Sequence, residues 1–490
     1  MATLTIQPEC TTIGGSLTIP RMINGLWQLA GGHDENVNIA DASSGMDPLI
    51  NAGLTCFDMA DHYGEAELVV GHHNTHSGLS LTAFTKWCPP ENGIKTFENA
   101  EAAIDLAFSR LNQESIALLQ YHAWDYSDDT WIYNLMHLQK MQKNGKIQHL
   151  GLTNIDSAHL QMLIDSGFNI ATNQVSCSVI DRRVKIGRLN DICLKNDIGL
   201  LCYSTLMGGF LSEKWVDQPE PADINKLNWS LRKYLRFIWA AGGWSAYQTV
   251  LKALQSVSVK HGVPISAVAT RYVLDIPSVK GVIVGSRLTA NSSTYIASNL
   301  KAFTFALDDQ DKQTIAQAQE CLKDLPGDCG DEYRRPPYLT AAGDLSDHLA
   351  DCERSRKLND AIAKGQRVEY SSGSKWEPIA GYCRAVRVGN TIHVSGTTAN
   401  SPVPELDNLG GSSAASQTVR ILDIIENALK ALGSCMKDVV RTRLLVEDLK
   451  YIEEVSRAHG WRFGCEGILP ANTLELTFRG CSHGTYCGRD

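Results

Sequence analysis

Apolar and polar positions along the chain alternate between two periods. Short β-rich runs recur at 25–30 (GLWQLA), 54–60 (LTCFDMA), 81–87 (LTAFTKW), 116–123 (IALLQYHA), 149–154 (HLGLTN), 170–176 (IATNQVS), 198–204 (IGLLCYS) and 279–286 (VKGVIVGS). Between them lie segments such as ENAEAAIDLAFSRL and SAHLQMLIDSG, whose apolar residues return every three to four positions, as on one face of a helix. Strand and helix in strict alternation predict parallel βαβ units, and eight of them predict an α/β fold of the (β/α)8 TIM-barrel type. Ahead of the first run, LTI at 4–6 and LTI at 17–19 flank Gly14 and Gly15, which predicts a hairpin closing the barrel bottom.

The longest gap, between the seventh and eighth runs, holds the aromatic stretch LNWSLRKYLRFIWAAGGWSAY, an insertion on the loop face that reads as a lid or a packed surface helix. The barrel is expected to occupy 1–325, and 326–365 reads as a linker with one helical segment. From 366 to 490 the pattern changes to strands (YCRAVRV, TIHVSGTT), an amphipathic helix (SQTVRILDIIENALKAL), a strand (VVRTRLLVED) and another helix (YIEEVSRAHGWRFG). That order predicts a small α+β domain.

A length of 490 residues agrees with more than one core. With 43% hydrophobic and 20% charged residues and a net charge of -9, no electrostatic bias toward nucleic acid or membrane is expected. The 14 cysteines are scattered without CxxC pairs, and no apolar run reaches membrane-spanning length. Reduced thiols and a cytoplasmic location are the expectation. His72, His73 and His76, in GHHNTH, read as a solvated loop, and no metal is expected.

Catalytic groups of such a barrel sit at the C-terminal ends of its strands, where the variable loops are. Asp58 and Tyr63 follow the second run, Lys86 ends the third and His122 ends the fourth. A tyrosine, with an ordinary pKa near ~10, is a poor acid at neutral pH. A neighbouring ammonium favours its charged form, and a carboxylate holds that ammonium in place. Lys86 and Asp58 can supply the pair, and the His122 imidazole can orient a carbonyl beside Tyr63.

On these residues, and on the DMADHYG element followed by EAE, the stretch from about 10 to 320 resembles the aldo-keto reductases, with Asp58, Tyr63, Lys86 and His122 as the tetrad. The resemblance implies NADPH lying across the barrel mouth. It implies Thr153, Asn154 and Gln174 at the nicotinamide carboxamide, Tyr203 stacked on its ring, and Ser204 and Leu206 along the pyrophosphate. Gly285, Ser286 and Arg287 fall near the adenosine phosphate and Asn299 near adenine. Tyr295 stands where several members carry the arginine that grips the 2′-phosphate, which leaves Arg287 as the cation for it and ranks NADPH ahead of NADH. Trp27 and Trp124 are expected to line the substrate pocket.

The C-terminal part, about 370–477, resembles the YjgF/YER057c/UK114 (Rid) family through GYCRAVRVGNTIHVSGTTA and HGWRFGCEGILPANTLEL. The likeness implies a chorismate-mutase-like fold, homotrimers, and clefts walled here by Tyr382, Ser395 and Gly396. Active members hydrolyse imines with an arginine two residues after a proline; this chain reads Pro470, Ala471, Asn472. Asparagine lacks the guanidinium's charge and fork, so assembly or ligand binding is expected rather than deaminase activity. The tail FRGCSHGTYCGRD is polar and not strand-like. The whole therefore reads as a reductase of aldehydes or ketones. An imine reductase coupled to its second domain, or a nucleotide-sensing scaffold, is the alternative.

Overall fold

The computed structural model describes residues 6–30, 38–79, 81–89, 96–288, 293–334 and 354–477. Eight parallel strands close into a barrel: β1 (Met22–Gly25), β2 (Cys56–Asp58), β3 (Thr82–Trp87), β4 (Ile116–His122), β5 (Ile147–Thr153), β6 (Thr172–Ser176), β7 (Gly199–Tyr203) and β8 (Val279–Gly285), with β8 against β1. The alternation of periods is thus realised as a TIM barrel.

The first strand lies earlier than the apolar run at 25–30 suggests. MING forms β1, and Trp27–Leu29 is a 3-10 turn. Buried Asn24 explains this choice: its amide donates to Leu54 O (2.8 Å) and Cys56 O (3.0 Å), fixing β1 against the entry to β2. The ladder then ends where Leu26 N–H donates to Asp58 O (2.9 Å), and Trp27 turns into the mouth.

The hairpin is present with a different first limb. Cys10–Ile13 pairs antiparallel with Leu17–Pro20, and the turn uses Gly14 and Gly15 at φ 54° and 74°; Leu4 and Thr5 of the limb expected at 4–6 lie outside the described residues. This register points Ile13 and Ile19 inward, onto Ile23, Cys56, Phe84, Leu118 and Leu201, so the hairpin plugs the barrel bottom.

The GHHNTH stretch is helical, not a loop. It lies in α1 (Ala66–Ser77), where Val69 and His73 share the buried face one turn apart, and His73 Nε2 lies 3.0 Å from Asp47 Oδ1. The aromatic insertion contains α3 (Trp229–Ala240), which buries Leu231, Lys233, Tyr234, Leu235, Phe237 and Ile238; α2 (Ser157–Asp165) follows β5 earlier in the chain.

The segment expected to begin the linker is packed. Glu332 and Tyr333, in the turn Asp331–Arg334, are buried against the barrel mouth, and a helix covers Arg354–Ala363. The C-terminal domain has an antiparallel sheet of β9 (Val368–Tyr370), β10 (Ala385–Val388) and β11 (Thr391–Val394), and a parallel pair of β12 (Arg441–Val446) and β13 (Ala471–Leu476). Its helices are α4 (Ala414–Ala431) and α5 (Ile452–Glu466). Helix α4 packs on α2 of the barrel. The tail from 478 onward lies outside the described residues.

Candidate active site

The parallel ladder sets the ends of β2, β3 and β4 side by side: Asp58 pairs with Phe84, and Lys86 with Gln120. Lys86 Nζ donates to Asp58 Oδ2 (2.6 Å) and to Met59 O (2.9 Å). The other carboxylate oxygen, Oδ1, accepts from Gln120 Nε2 (2.9 Å) and Gln174 Nε2 (2.7 Å). Both members of the ion pair are 4% exposed, and the desolvation of the charges is offset by their mutual hydrogen bond and by the three others, from Lys86 to Met59 O and to Asp58 from Gln120 and Gln174. The Lys86 ammonium lies 5.0 Å from the centre of the Tyr63 ring.

His122 is buried beside Trp124, with ring centres 3.9 Å apart. Burial, followed by the positive charges of Arg334, His62, Lys86 and Lys233, lowers its pKa well below the ordinary histidine value. The imidazole is therefore neutral at neutral pH. Its Nε2 is buried without a hydrogen-bond partner among the described residues, an atom left for a ligand.

Asp58, Tyr63, Lys86 and His122 open into one cavity of about 1220 Å³, and all ten residues assigned to the dinucleotide line it too, as do Trp27 and Trp124. At its floor Thr153 Oγ1 donates to Gln174 O (3.1 Å) and Asn154 N–H to the same carbonyl (2.8 Å). Tyr203 ends β7 and donates its hydroxyl to Asn154 Oδ1 (2.7 Å); burial pushes the phenol pKa well up, so it remains neutral. Ser204 Oγ donates to Tyr234 Oη (2.7 Å), and Ser286 N–H to Gly25 O (2.8 Å). Asn154 (φ 58°) and Ser204 (φ 67°) hold left-handed backbone at the ends of β5 and β7, strain of the kind that clusters at functional sites. Leu206, Gly285, Arg287 and Asn299 complete a trough from tetrad to rim, a shape and donor set that fit an extended dinucleotide. Tyr295 is exposed at the far end.

Sequence reasoning missed three residues. Gln120 lies two positions before His122 on the same inward face of β4, a spacing that could have revealed it. Lys233 and Tyr333 also line the cavity, and Lys233 Nζ donates to Tyr333 Oη (2.8 Å). Only tertiary contact brings these two to the mouth. A further group, Asp61, His62 and Cys88, holds its ligand-type atoms within 4.8 Å of one another.

In the second domain, Tyr382, Ser395 and Gly396 gather around Arg384, whose guanidinium lies 5.8 Å from the Tyr382 ring centre and donates to Gly396 O (2.8 Å). Asn472 stands on β13, where its amide donates to Thr442 Oγ1 (2.8 Å).

A parallel barrel with a buried Lys–Asp pair, a tyrosine and a neutral histidine at successive strand ends belongs to the class whose chemistry is built on the C-terminal rim. Residues 21–320 match the model of the Aldo/keto reductase family, and the chain belongs to that family. Residues 373–474 match the model described as Endoribonuclease L-PSP. Among relatives, flagellar radial spoke protein 5 of Chlamydomonas reinhardtii is 28% identical over 33% of this chain, a match spanning only 34% of that protein. The NADH-specific methylglyoxal reductase of Escherichia coli is 22% identical over 63% of this chain and 97% of its own. A RutC family protein of Saccharolobus solfataricus is 30% identical over 18% of this chain and 68% of its own. The solved glycerol dehydrogenase of Gluconobacter oxydans shares the fold, with a TM-score of 0.53 and 18% identity over 65% of this chain and 97% of that one.

Proposed function

We propose that the barrel reduces an aldehyde or ketone to the alcohol with NADPH, and that Tyr63 is the proton donor. The observation that carries this reading is the buried Lys86–Asp58 pair beneath the Tyr63 ring, in one cavity with the partnerless Nε2 of His122. Bound at Thr153, Asn154, Gln174 and Tyr203, the nicotinamide would supply the hydride. The substrate oxygen is placed between Tyr63 and His122. As hydride reaches the carbonyl carbon, charge develops on that oxygen, and the Tyr63 hydroxyl delivers its proton there. The Lys86 ammonium favours the tyrosinate left behind, and Asp58 keeps the ammonium aimed. Neutral His122 orients the carbonyl as a hydrogen-bond donor without adding a charge of its own.

Arg287 is the proposed partner of the 2′-phosphate, so Arg287→Ala should narrow the preference for NADPH over NADH. The methylglyoxal reductase relative supports a small carbonyl compound as substrate. The second domain is proposed to serve assembly or ligand binding, because Asn472 offers an amide already committed to Thr442 where active relatives offer a guanidinium.

The test is NADPH oxidation across a panel of aldehydes and ketones. Wild type should turn over, and Tyr63→Phe should lose roughly 10²–10⁴-fold in kcat while still binding NADPH. An inert wild type, or an equally active Tyr63→Phe, would remove the proposal.

A further inference from the structure

The last paired residues of β4 and β5 are His122 and Thr153. Past them the two chains leave the ladder, and the next carbonyl on each belongs to a buried residue, Ala123 or Asn154, so it needs another donor. One side chain serves both. Arg334 donates from Nε (2.9 Å) and Nη2 to Ala123 O, and from Nη1 to Asn154 O (2.5 Å). Its planar fork acts as one further rung, supplied by a residue outside the 21–320 stretch that matches the reductase family. The carbonyls it joins stand where the proposed chemistry is set. Ala123 follows His122, and Asn154, placed at the nicotinamide, holds the left-handed φ of 58°. Strained backbone of that kind persists only where its neighbours hold it. Gly330, just upstream of Arg334, shows how close the approach is: at φ 88°, a Cβ there would stand 2.0 Å from Asn154 O. Arg334 is backed in turn by the second domain. Its guanidinium lies 4.1 Å from the centre of the Tyr126 ring, and the His159 imidazole stacks on the same ring at 3.6 Å. Tyr126 Oη accepts from Asp156 N–H (3.2 Å), which fixes the ring, and His159 Nε2 meets the Asp423 carboxylate of α4 at 3.2 Å. Contacting side chains thus run from α4 to two carbonyls at the reacting centre.

We infer, on the reductase reading proposed above, that Arg334 is a positioning residue for carbonyl reduction, and that the second domain sets its place through His159 and Tyr126. Arg334 does not line the cavity, so it acts through the groups it holds. Its fork fixes the spacing between the chain that carries His122, the proposed orienter of the carbonyl, and the chain that carries Asn154, a proposed partner of the nicotinamide. After burial, its charge is also the foremost of those that keep His122 neutral. Hydride transfer depends on that spacing, and a misplacement of ~1 Å caused from a distance can cost ~10²-fold in rate.

The experiment uses the full chain as wild type, Arg334→Met, Arg334→Lys, Gly330→Ala, His159→Gln and the double variant of His159→Gln with Arg334→Met. Two readouts are taken well below each Tm: the NADPH Kd from quenching of protein fluorescence, and kcat and KM for the best aldehyde of the panel. Arg334→Met should lose roughly tenfold or more in both kcat/KM and NADPH affinity. Gly330→Ala keeps the guanidinium but displaces it from Asn154 O, and should move both quantities in the same direction. Arg334→Lys keeps the charge without the fork, and should recover only part of the loss. A lowered Tm with wild-type Kd and kcat in the folded protein would make Arg334 a structural anchor alone and overturn the inference. Full recovery by Arg334→Lys would overturn it too, because charge without the fork would then suffice. His159→Gln should weaken NADPH binding when Arg334 is present and add nothing in the Arg334→Met background; equal effects in both backgrounds would show that the second domain does not act through Arg334. If wild type binds NADPH but reduces no carbonyl, the reductase reading fails, and the Kd series decides the role of Arg334 separately. A wild type that neither binds NADPH nor turns over removes both.

Discussion

Asp58 shows how little freedom a residue has at the centre of this site. Its two oxygens meet three donors, Lys86, Gln120 and Gln174, all within 2.9 Å. Asp58→Asn would replace one acceptor with a donor facing donors and would leave the Lys86 ammonium buried without its counter-ion. A loss of about 3–5 kcal/mol is expected, the usual cost of breaking one side of a buried pair, and it should appear as a lowered Tm together with a fall in kcat. His122 makes a prediction in pH. Its folded-state pKa is lowered by burial first and then by Arg334, His62, Lys86 and Lys233, whereas an unfolded histidine titrates near ~6.5. Below that value the unfolded chain takes up a proton that the folded site refuses, so this residue's contribution to stability declines as pH falls through ~6.5. The His122 ring resonance should stay at its neutral position from about pH 8 to about pH 6 in an NMR titration. A midpoint near ~6.5 would contradict the neutral ring on which its orienting role depends.

At the scale of elements, the sequence made the barrel and its tetrad legible because both follow from local periods plus one geometric rule. A parallel barrel puts all strand ends of one polarity on one rim, so Asp58, Lys86 and His122 could be brought together from their strand positions alone. The misplacement of β1 has the opposite origin. GLWQLA is more apolar than MING, but the strand is decided by the hydrogen bonds of Asn24 to the chain entering β2, a long-range contact that no period encodes. The strap at 328–334 was hidden for the same reason. Its Gly- and Asp-rich composition reads as linker, yet Glu332 makes a two-pronged pair with buried Arg183 (2.6 and 3.1 Å), and Arg334 donates to Asn154 O and Ala123 O. Tyr333 is held at the mouth between these anchors. Glu332→Gln should weaken the anchor by about 1–3 kcal/mol, since Arg183 retains Asp181 (2.7 Å). Hydrogen exchange at residues 328–334 should accelerate, and the KM for the carbonyl substrate should rise; unchanged exchange would show that the strap is held by other contacts.

Across the whole molecule, the two domains meet at a buried charge cluster rather than at a purely apolar seam. His159 of α2 is buried between two carboxylates, Asp156 of the barrel (2.8 Å) and Asp423 of α4 (3.2 Å), and stacks on Tyr126 at 3.6 Å. Burial alone would lower the imidazole pKa, but the two carboxylates outweigh it and hold it up at about 9. Asp156 stays well below the ordinary aspartate range despite its burial, because His159 favours its charged form, whereas burial raises Asp423 against the pull of the same imidazolium. The sign follows from linkage. A histidine whose pKa is raised by folding contributes stability that is complete below ~6.5 and is lost as pH climbs through its folded value. The raised Asp423 acts in the same direction, and the lowered Asp156 contributes above ~4 and loses its contribution in acid. The docked arrangement should therefore be firmest between about pH 5 and about pH 6.5 and should weaken progressively from there toward about pH 9. Two further ion pairs join α4 to the barrel around this cluster, Arg420 with Asp129 (2.6 Å) and Lys430 with Asp125 (3.1 Å). Small-angle scattering of the full chain should show the radius of gyration growing as pH rises past about 9, as α4 leaves α2. His159→Gln, which leaves two buried carboxylates facing each other without a cation between them, should show the expanded form already at neutral pH. A radius that is the same in both proteins and at every pH would mean that the apolar contacts of α4 alone hold the domains together.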